Sequence, residues 1–282
     1  MMIFRKISFL FPLFLAALVF TACDIVEEPY MNTPDGNGNN GDVVRKVLLE
    51  EFTGHQCPNC AEGAETAETL KEFFGDQLVI ISIHAGFFAR TSAPDFITDY
   101  RTAAGNEINT YFGISYNPVG MVNRKETSGS PILNPNAWGG VISEILEQEP
   151  QAGINISTSY QASNRKLDVT IKSTMLEDLE CPIYLVAFLL EDSLISPQKT
   201  NDPHYPDGII PDYVHRHVLR TCINGTWGET LSSGQVSAMQ VFTKNYSLTL
   251  NEEWDAENCS VVAYLYSGQN LEVIQAEEKK LN

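Results

Sequence analysis

The chain has 282 residues, 43% of them hydrophobic and 19% charged, a balance that belongs to a folded globular protein and excludes a disordered one. With 36 acidic and 18 basic residues the formal net charge is −18, so nucleic acid and anionic lipid surfaces are repelled and neither is expected as a partner. The length accommodates two domains with cores of their own once an N-terminal targeting segment is set aside.

Arg5 and Lys6 precede an almost wholly apolar stretch over residues 7–20, which runs into Phe20-Thr21-Ala22-Cys23. The stretch is shorter than the roughly 20 residues of a membrane-spanning helix, so residues 1–22 read as a signal peptide. Small residues ahead of a cysteine resemble a bacterial lipobox. The resemblance implies cleavage before Cys23, acylation of Cys23 and attachment to the membrane through that lipid anchor. Phe20 departs from the usual Leu at its position, and a plain secretory signal with an incidental cysteine is the alternative. Residues 23–42 are acidic and rich in Gly and Asn, the composition of a flexible tether.

Residues 43–150 read as an α/β domain. The apolar run 47–49 predicts a strand over 47–52, and 61–74 a helix with Leu70, Phe73 and Phe74 on one side and Gly75 as its stop. Residues 78–83, Leu-Val-Ile-Ile-Ser-Ile, predict a central strand buried on both faces. Strand, helix and strand at this spacing imply a parallel pair with a right-handed crossover. Residues 85–112 form an insertion, helical in part around 96–100 and 107–112. A turn led by Gly113 and then Pro118 precede a short apolar strand. Residues 136–149 close the domain as a helix with Trp138, Val141, Ile142, Ile145 and Leu146 on its apolar face.

Between the first strand and the first helix lies Cys57-Pro58-Asn59-Cys60. The unpaired N–H groups and positive dipole end of a helix N-terminus stabilise a thiolate at Cys57, and Cys60, one turn on, is placed to close or resolve a disulfide. Together with Pro118 this arrangement resembles the thioredoxin fold. The resemblance implies a cis bond before Pro118, that proline facing the disulfide, and a buried acid at Glu51 exchanging a proton with the second cysteine. Glu50 is adjacent and faces the other side of the strand, so register decides between the two. The stretch Val-Leu-Leu-Glu-Glu-Phe-Thr-Gly before the cysteines, Asn117-Pro118 with Val122-Asn123-Arg124, and His215-x-His217-Val218-Leu219-Arg220 with Gly225-Thr226-Trp227-Gly228 are similar to the outer-membrane-protein-28 family of Bacteroidota lipoproteins, over nearly the whole mature chain. That likeness implies an outer-membrane lipoprotein with a thioredoxin-like domain followed by a β domain, and adhesin or receptor roles.

Residues 151–282 read as an all-β antiparallel sandwich, because stretches 154–160, 166–173, 183–190, 241–250, 260–266 and 271–276 alternate or run apolar between turn residues. Residues 191–213, with Pro197, Pro203, Pro206 and Pro211, are too long for a mere connection and are expected to cover the domain junction. His204, His215 and His217 with Asp202, Asp207 and Asp212 lack ligand spacing, so a structural or surface role is expected rather than a metal site, with His215 and His217 on one strand face. Among Cys181, Cys222 and Cys259, one disulfide and one buried thiol is the simplest outcome in an oxidising envelope; Cys181 and Cys259, each just before an apolar strand, are the expected pair.

Two functions fit. One is an envelope thiol–disulfide oxidoreductase acting on protein thiols and disulfides without a bound cofactor, with Cys57 as nucleophile, Cys60 resolving, Pro118 orienting the substrate and Glu51 moving the proton. The other is a surface binding or adhesion lipoprotein in which Cys57–Cys60 is a static staple. A zinc site lacks a second cysteine pair at usable spacing.

Overall fold

The computed structural model describes residues 43–281; the expected signal peptide over 1–22, Cys23 and the expected tether over 23–42 lie outside the described residues. Two fully buried strands make its centre. β1 (Val47–Thr53) and β2 (Leu78–His84) are buried along their whole length and pair in parallel, from Val47↔Leu78 to Thr53↔His84. α1 (Cys60–Phe74) makes the crossover and stops at Gly75, whose φ of +57° is open to glycine at little cost. Its inward face is built of small residues, Gly63 and Ala67. Leu70 and Phe74 pack inward, whereas Phe73, expected beside them, points outward and is 80% exposed.

α2 (Ala103–Tyr111) starts at Thr102, whose side chain accepts a hydrogen bond from Gly105 N. Residues 96–100, expected to be helical, are not: Ser92 and Phe96 exchange backbone hydrogen bonds around Pro94, which takes up the groups a helix start would use. β3 (Val119–Val122) runs antiparallel to β1. α3 (Pro135–Leu146) begins on a proline, which a helix tolerates in its first turn, and buries Trp138, Val141, Ile142 and Ile145.

The rest of the described chain is strand: β4 (Ala152–Gln161), β5 (Lys166–Met175), β6 (Ile183–Glu191), β7 (Leu194–Lys199), β8 (Ile209–His215), β9 (Val218–Cys222), β10 (Glu229–Ser232), β11 (Val241–Thr249), β12 (Cys259–Ser267) and β13 (Val273–Lys280). The fold is therefore β-rich, with mixed and antiparallel pairing. One sheet has the order β13-β12-β6-β9-β2-β1-β3, with β10 on β6; a second is β11-β5-β4; a third is β7-β8. The large sheet crosses residue 150, because β9 bridges β2 through Ser82↔Val218 and pairs antiparallel with β6.

Its covering changes along its width. Against one face lies a single apolar cluster that takes Leu48, Phe52 and Ile83 from one half of the sheet and Phe188, Leu219 and Val262 from the other. The opposite face is covered by α1 and α3 at the β1–β3 end and by the three-stranded sheet at the β6–β12 end. Strands buried on both sides read as largely apolar runs, which is the pattern of β2, β6 and β12, while β1 is as fully buried but carries Glu50 and Glu51 in its middle. Among the described residues no helix is long and apolar enough to cross a membrane.

Residues 191–213 are not a loop. β7 and β8 form a two-stranded ribbon from Leu194↔His215 to Lys199↔Ile209, with a register shift between Ser196 and Gln198 at Pro197. A ribbon has two free edges and a bulge, the places where a strand accepts proline.

Candidate functional site

Cys57 and Cys60 form a disulfide with Cα atoms 5.4 Å apart, at the point where the β1 loop turns into α1. Cys57 N donates to Gly54 O at 2.9 Å, which shapes the loop, and a Cβ on Gly54 would sit 2.5 Å from the Phe88 carbonyl carbon, so only glycine passes there. The Asn117–Pro118 peptide is cis. Pro118 packs against the first turn of α1: a Cβ on Gly63 would lie 2.6 Å from Pro118 Cβ and 3.7 Å from Glu51 Oε1. Gly63 thus lets the helix close down on the proline and the acid together.

Glu51 is the acid on this side. Its Oε2 accepts from Ser82 Oγ at 3.0 Å, while Oε1 has no hydrogen-bond partner and the residue is 1% exposed. Burial raises its carboxyl to about 7, opposed by the Ser82 bond. Glu51 and Cys60 border one cavity of about 20 Å³. Glu50 faces away and is held by Arg124, with Arg124 Nε and Nη2 donating to its two oxygens at 2.7 and 2.6 Å. Of the two neighbouring acids, Glu51 is the one that borders this cavity together with Cys60.

The disulfide is covered. Each cysteine is 1% exposed, because the end of β7 and the residues after it lie across the motif. Lys199 N donates to His55 O at 2.8 Å, Asn201 N to Pro58 O at 3.1 Å, and Gln198 Nε2 to Cys57 O at 2.9 Å. None of these three was among the residues the sequence singled out. The local signal was Asp207-Gly208, a turn pair where the ribbon folds back, with Gly208 N donating to Tyr205 O.

Under the ribbon sit three buried imidazoles, His55, His84 and His215. Ser196 Oγ and His215 Nε2 are 3.0 Å apart, Tyr100 OH donates to the same Ser196 oxygen, and the His84 and His215 rings are 5.4 Å apart. Burial lowers all three, His215 to about 4 with His55 adding to the effect, and His84 well below its ordinary value with His215, His55 and Arg220 adding to it. The folded state therefore holds these rings neutral, so their contribution is complete above the unfolded value near 6.5 and is lost as pH falls below it, for His215 down to about 4. We expect His215 alone to cost on the order of 3 kcal/mol of stability across that window. Melting temperature against pH checks it, and His215→Asn should flatten the acid limb.

His215, His217 and His204 do not converge. His217, with φ +54°, turns the chain between β8 and β9, so it shares no strand face with His215, and its Nε2 lies 3.1 Å from Glu68 Oε1. His204 is exposed and pairs with Asp202. The expected Cys181–Cys259 bridge is also absent, and both are free thiols. β6 and β12 are antiparallel, with Cys259 opposite Glu191 and Ile183 opposite Ser267. The starts of two such strands lie at opposite ends of the pair, on the order of 25 Å apart at the usual rise per residue.

The profile of the outer membrane protein Omp28 family matches residues 105–282. The chain belongs to that family. Membership places it at the outer membrane of the cell envelope. The matched region holds Pro118, Arg124 and the β7–β8 ribbon, and Cys57-Pro58-Asn59-Cys60 lies before it. No significant match is found among curated protein sequences. The fold is similar to that of HBP35 of Porphyromonas gingivalis, at 18% identity over 86% of this chain and 76% of that one, with a TM-score of 0.64. It is also similar to an Agrobacterium tumefaciens protein, at 11% identity over 86% of this chain and 97% of that one, with a TM-score of 0.50. A domain of the outer membrane lipoprotein Omp28 from Porphyromonas gingivalis matches 47% of this chain and 89% of its own length, at 23% identity and a TM-score of 0.32.

Proposed function

We propose that the protein is a thiol–disulfide oxidoreductase of the cell envelope, anchored through Cys23 and built on a thioredoxin-like unit of β1, α1, β2 and β3. Glu51 carries this reading. A carboxyl that is buried, lacks a partner for one oxygen and titrates near neutrality destabilises the fold. A disulfide that merely staples a helix has no use for it, whereas a proton acceptor beside the resolving cysteine does.

In the reducing direction the Cys57 thiolate attacks a substrate disulfide, forming a Cys57–substrate bond and releasing one substrate thiolate. Cys60 then passes its proton to Glu51, and the 20 Å³ cavity between them has room for one bridging water. The Cys60 thiolate attacks Cys57 Sγ, closing the Cys57–Cys60 bond and releasing the second substrate thiolate. Two electrons pass from the pair to the substrate, and the opposite direction reverses each step. Pro118 holds the substrate backbone against the sulfurs. Because both cysteines are covered, the ribbon end at Gln198, Lys199 and Asn201 must lift before either can react.

That covering supports a second reading, a surface-binding lipoprotein whose disulfide is static. Cys60→Ser separates the two. The oxidoreductase reading predicts covalent partners trapped on Cys57 in the envelope and catalysis of insulin reduction by the unaltered protein. Neither trapped partners nor reductase activity would leave only the static disulfide.

A further inference from the structure

Beside the covered disulfide, the first turns of α1 and the strand β8 enclose a cavity of about 560 Å³. Five carboxylates border it, Glu51, Glu62, Glu65, Glu68 and Asp202, against one guanidinium, Arg216. Two of the acids are engaged: Glu68 lies 3.1 Å from His217 Nε2 and 3.9 Å from Arg216 Nε, and Asp202 accepts from His204. Glu62 and Glu65 have no ion-pair partner among the described residues. A row of glutamates on a helix would by itself be a solvated face. Glu51 makes this one different, because it is buried, lines the cavity and leaves Oε1 without a partner. Ala64, Ile210 and Val214 give the wall an apolar stretch, and Asn59, Ser82, Thr200 and Asn201 line the rest with uncharged polar groups.

A cation at the end of an apolar stem matches this combination: the stem lies on the apolar wall and the charge reaches the acids. A metal ion does not, since no set of three or more ligating side chains converges among the described residues. We propose that the cavity receives a lysine or arginine side chain of a polypeptide, seated among Glu51, Glu62 and Glu65. Resting on the oxidoreductase reading, this makes the substrate class a protein whose reacting cysteine is flanked by a basic residue. The formal charge of −18 draws such a partner in over long range, and seating a cation beside Glu51 favours its ionised form, the form that takes the proton from Cys60.

The test has two arms. In the first, a fluorescent cysteine-free peptide carrying lysines is titrated by anisotropy into the full-length oxidised protein, beside the same peptide with glutamine in place of lysine. We expect the lysine peptide to bind about three- to tenfold tighter and Glu62→Gln/Glu65→Gln to erase the difference. Glu252→Gln/Glu253→Gln, which removes the same charge at exposed positions outside the cavity, should keep it. Equal binding of the two peptides, or equal loss in both variants, overturns the site. In the second arm, disulfide-linked peptides with flanking lysine or glutamine are compared as exchange substrates. Exchange at the same rate with both overturns the substrate assignment and leaves the oxidoreductase reading standing. Selective binding with no exchange on either peptide upholds the site and overturns the oxidoreductase reading instead.

Discussion

Arg124→Ala is expected to lower stability by about 3–5 kcal/mol, the usual consequence of stranding one partner of a fully buried ion pair. Arg124 and Glu50 both have no side-chain exposure, and their bidentate contact joins β1 to the second residue after β3. Arg124 Nη2 also donates to Tyr264 OH at 2.8 Å, and the guanidinium carbon lies 5.3 to 5.7 Å from the rings of Phe112, Trp227, Tyr264 and Tyr266. Desolvation acts against the charge, but Glu50 and the tyrosines outweigh it and hold the guanidinium firmly protonated. Asn123 and Arg124 have φ of 49° and 52°, a left-handed stretch unfavourable for both side chains. It is held because Leu48 N donates to Asn123 Oδ1, Asn123 N to Leu48 O, and Val273 N to Asn123 O. One side chain therefore ties the two halves of the large sheet together. Urea unfolding checks the loss, and removing Glu50 as well should recover a large part of it, since the uncompensated carboxylate goes too. Arg124→Lys should behave more like Ala than like Arg, because a point charge cannot fork onto both oxygens or stack among four rings.

The same residues show why some of this fold is legible in the sequence and some is not. Periodicity is a local signal. The apolar start of β1 at Val47-Leu48-Leu49, the apolar run of β2 and the helical spacing of Trp138, Val141, Ile142 and Ile145 announce those elements directly. The neighbouring Glu50 and Glu51 were ambiguous by one residue; the partner that decides between them, Arg124, is 74 residues away. The imidazoles at 55, 84 and 215 meet only because β8 crosses the end of β2, so no spacing rule joins them. Prolines misled in the other direction. Pro197 and Pro211 suggested a loop in a segment that is paired, since a two-stranded ribbon has no interior strand for proline to disrupt. Cys181 and Cys259 both precede apolar strands, but sequence carries no strand direction, and antiparallel pairing of β6 and β12 separates them.

Glu51→Gln is expected to stabilise the protein and slow its chemistry at once. Burial holds the folded carboxyl at about 7, above its ordinary value of 4.5, so its contribution to stability is intact below about pH 4.5 and is lost as pH rises through about 7. Glutamine stays neutral throughout, and the variant should gain up to about 3 kcal/mol on the alkaline side, read as a urea midpoint that no longer falls between those limits. Over the same window the step in which Cys60 resolves a mixed disulfide should rise with ionisation of Glu51 in the unaltered protein. In the variant that inflection should vanish, with the rate down by about 10²-fold where an acid–base partner is needed. Ser82→Ala sharpens the comparison: the Ser82 hydroxyl favours the ionised carboxyl, so its loss should move the inflection to higher pH while leaving it in place. A stability gain in Glu51→Gln with an unchanged pH–rate profile would make the carboxyl a bystander and remove the strongest support for redox chemistry at Cys57 and Cys60. A matched gain and loss, in contrast, has no explanation in a static staple, because only a reaction that moves a proton makes a destabilising acid worth keeping beside a disulfide.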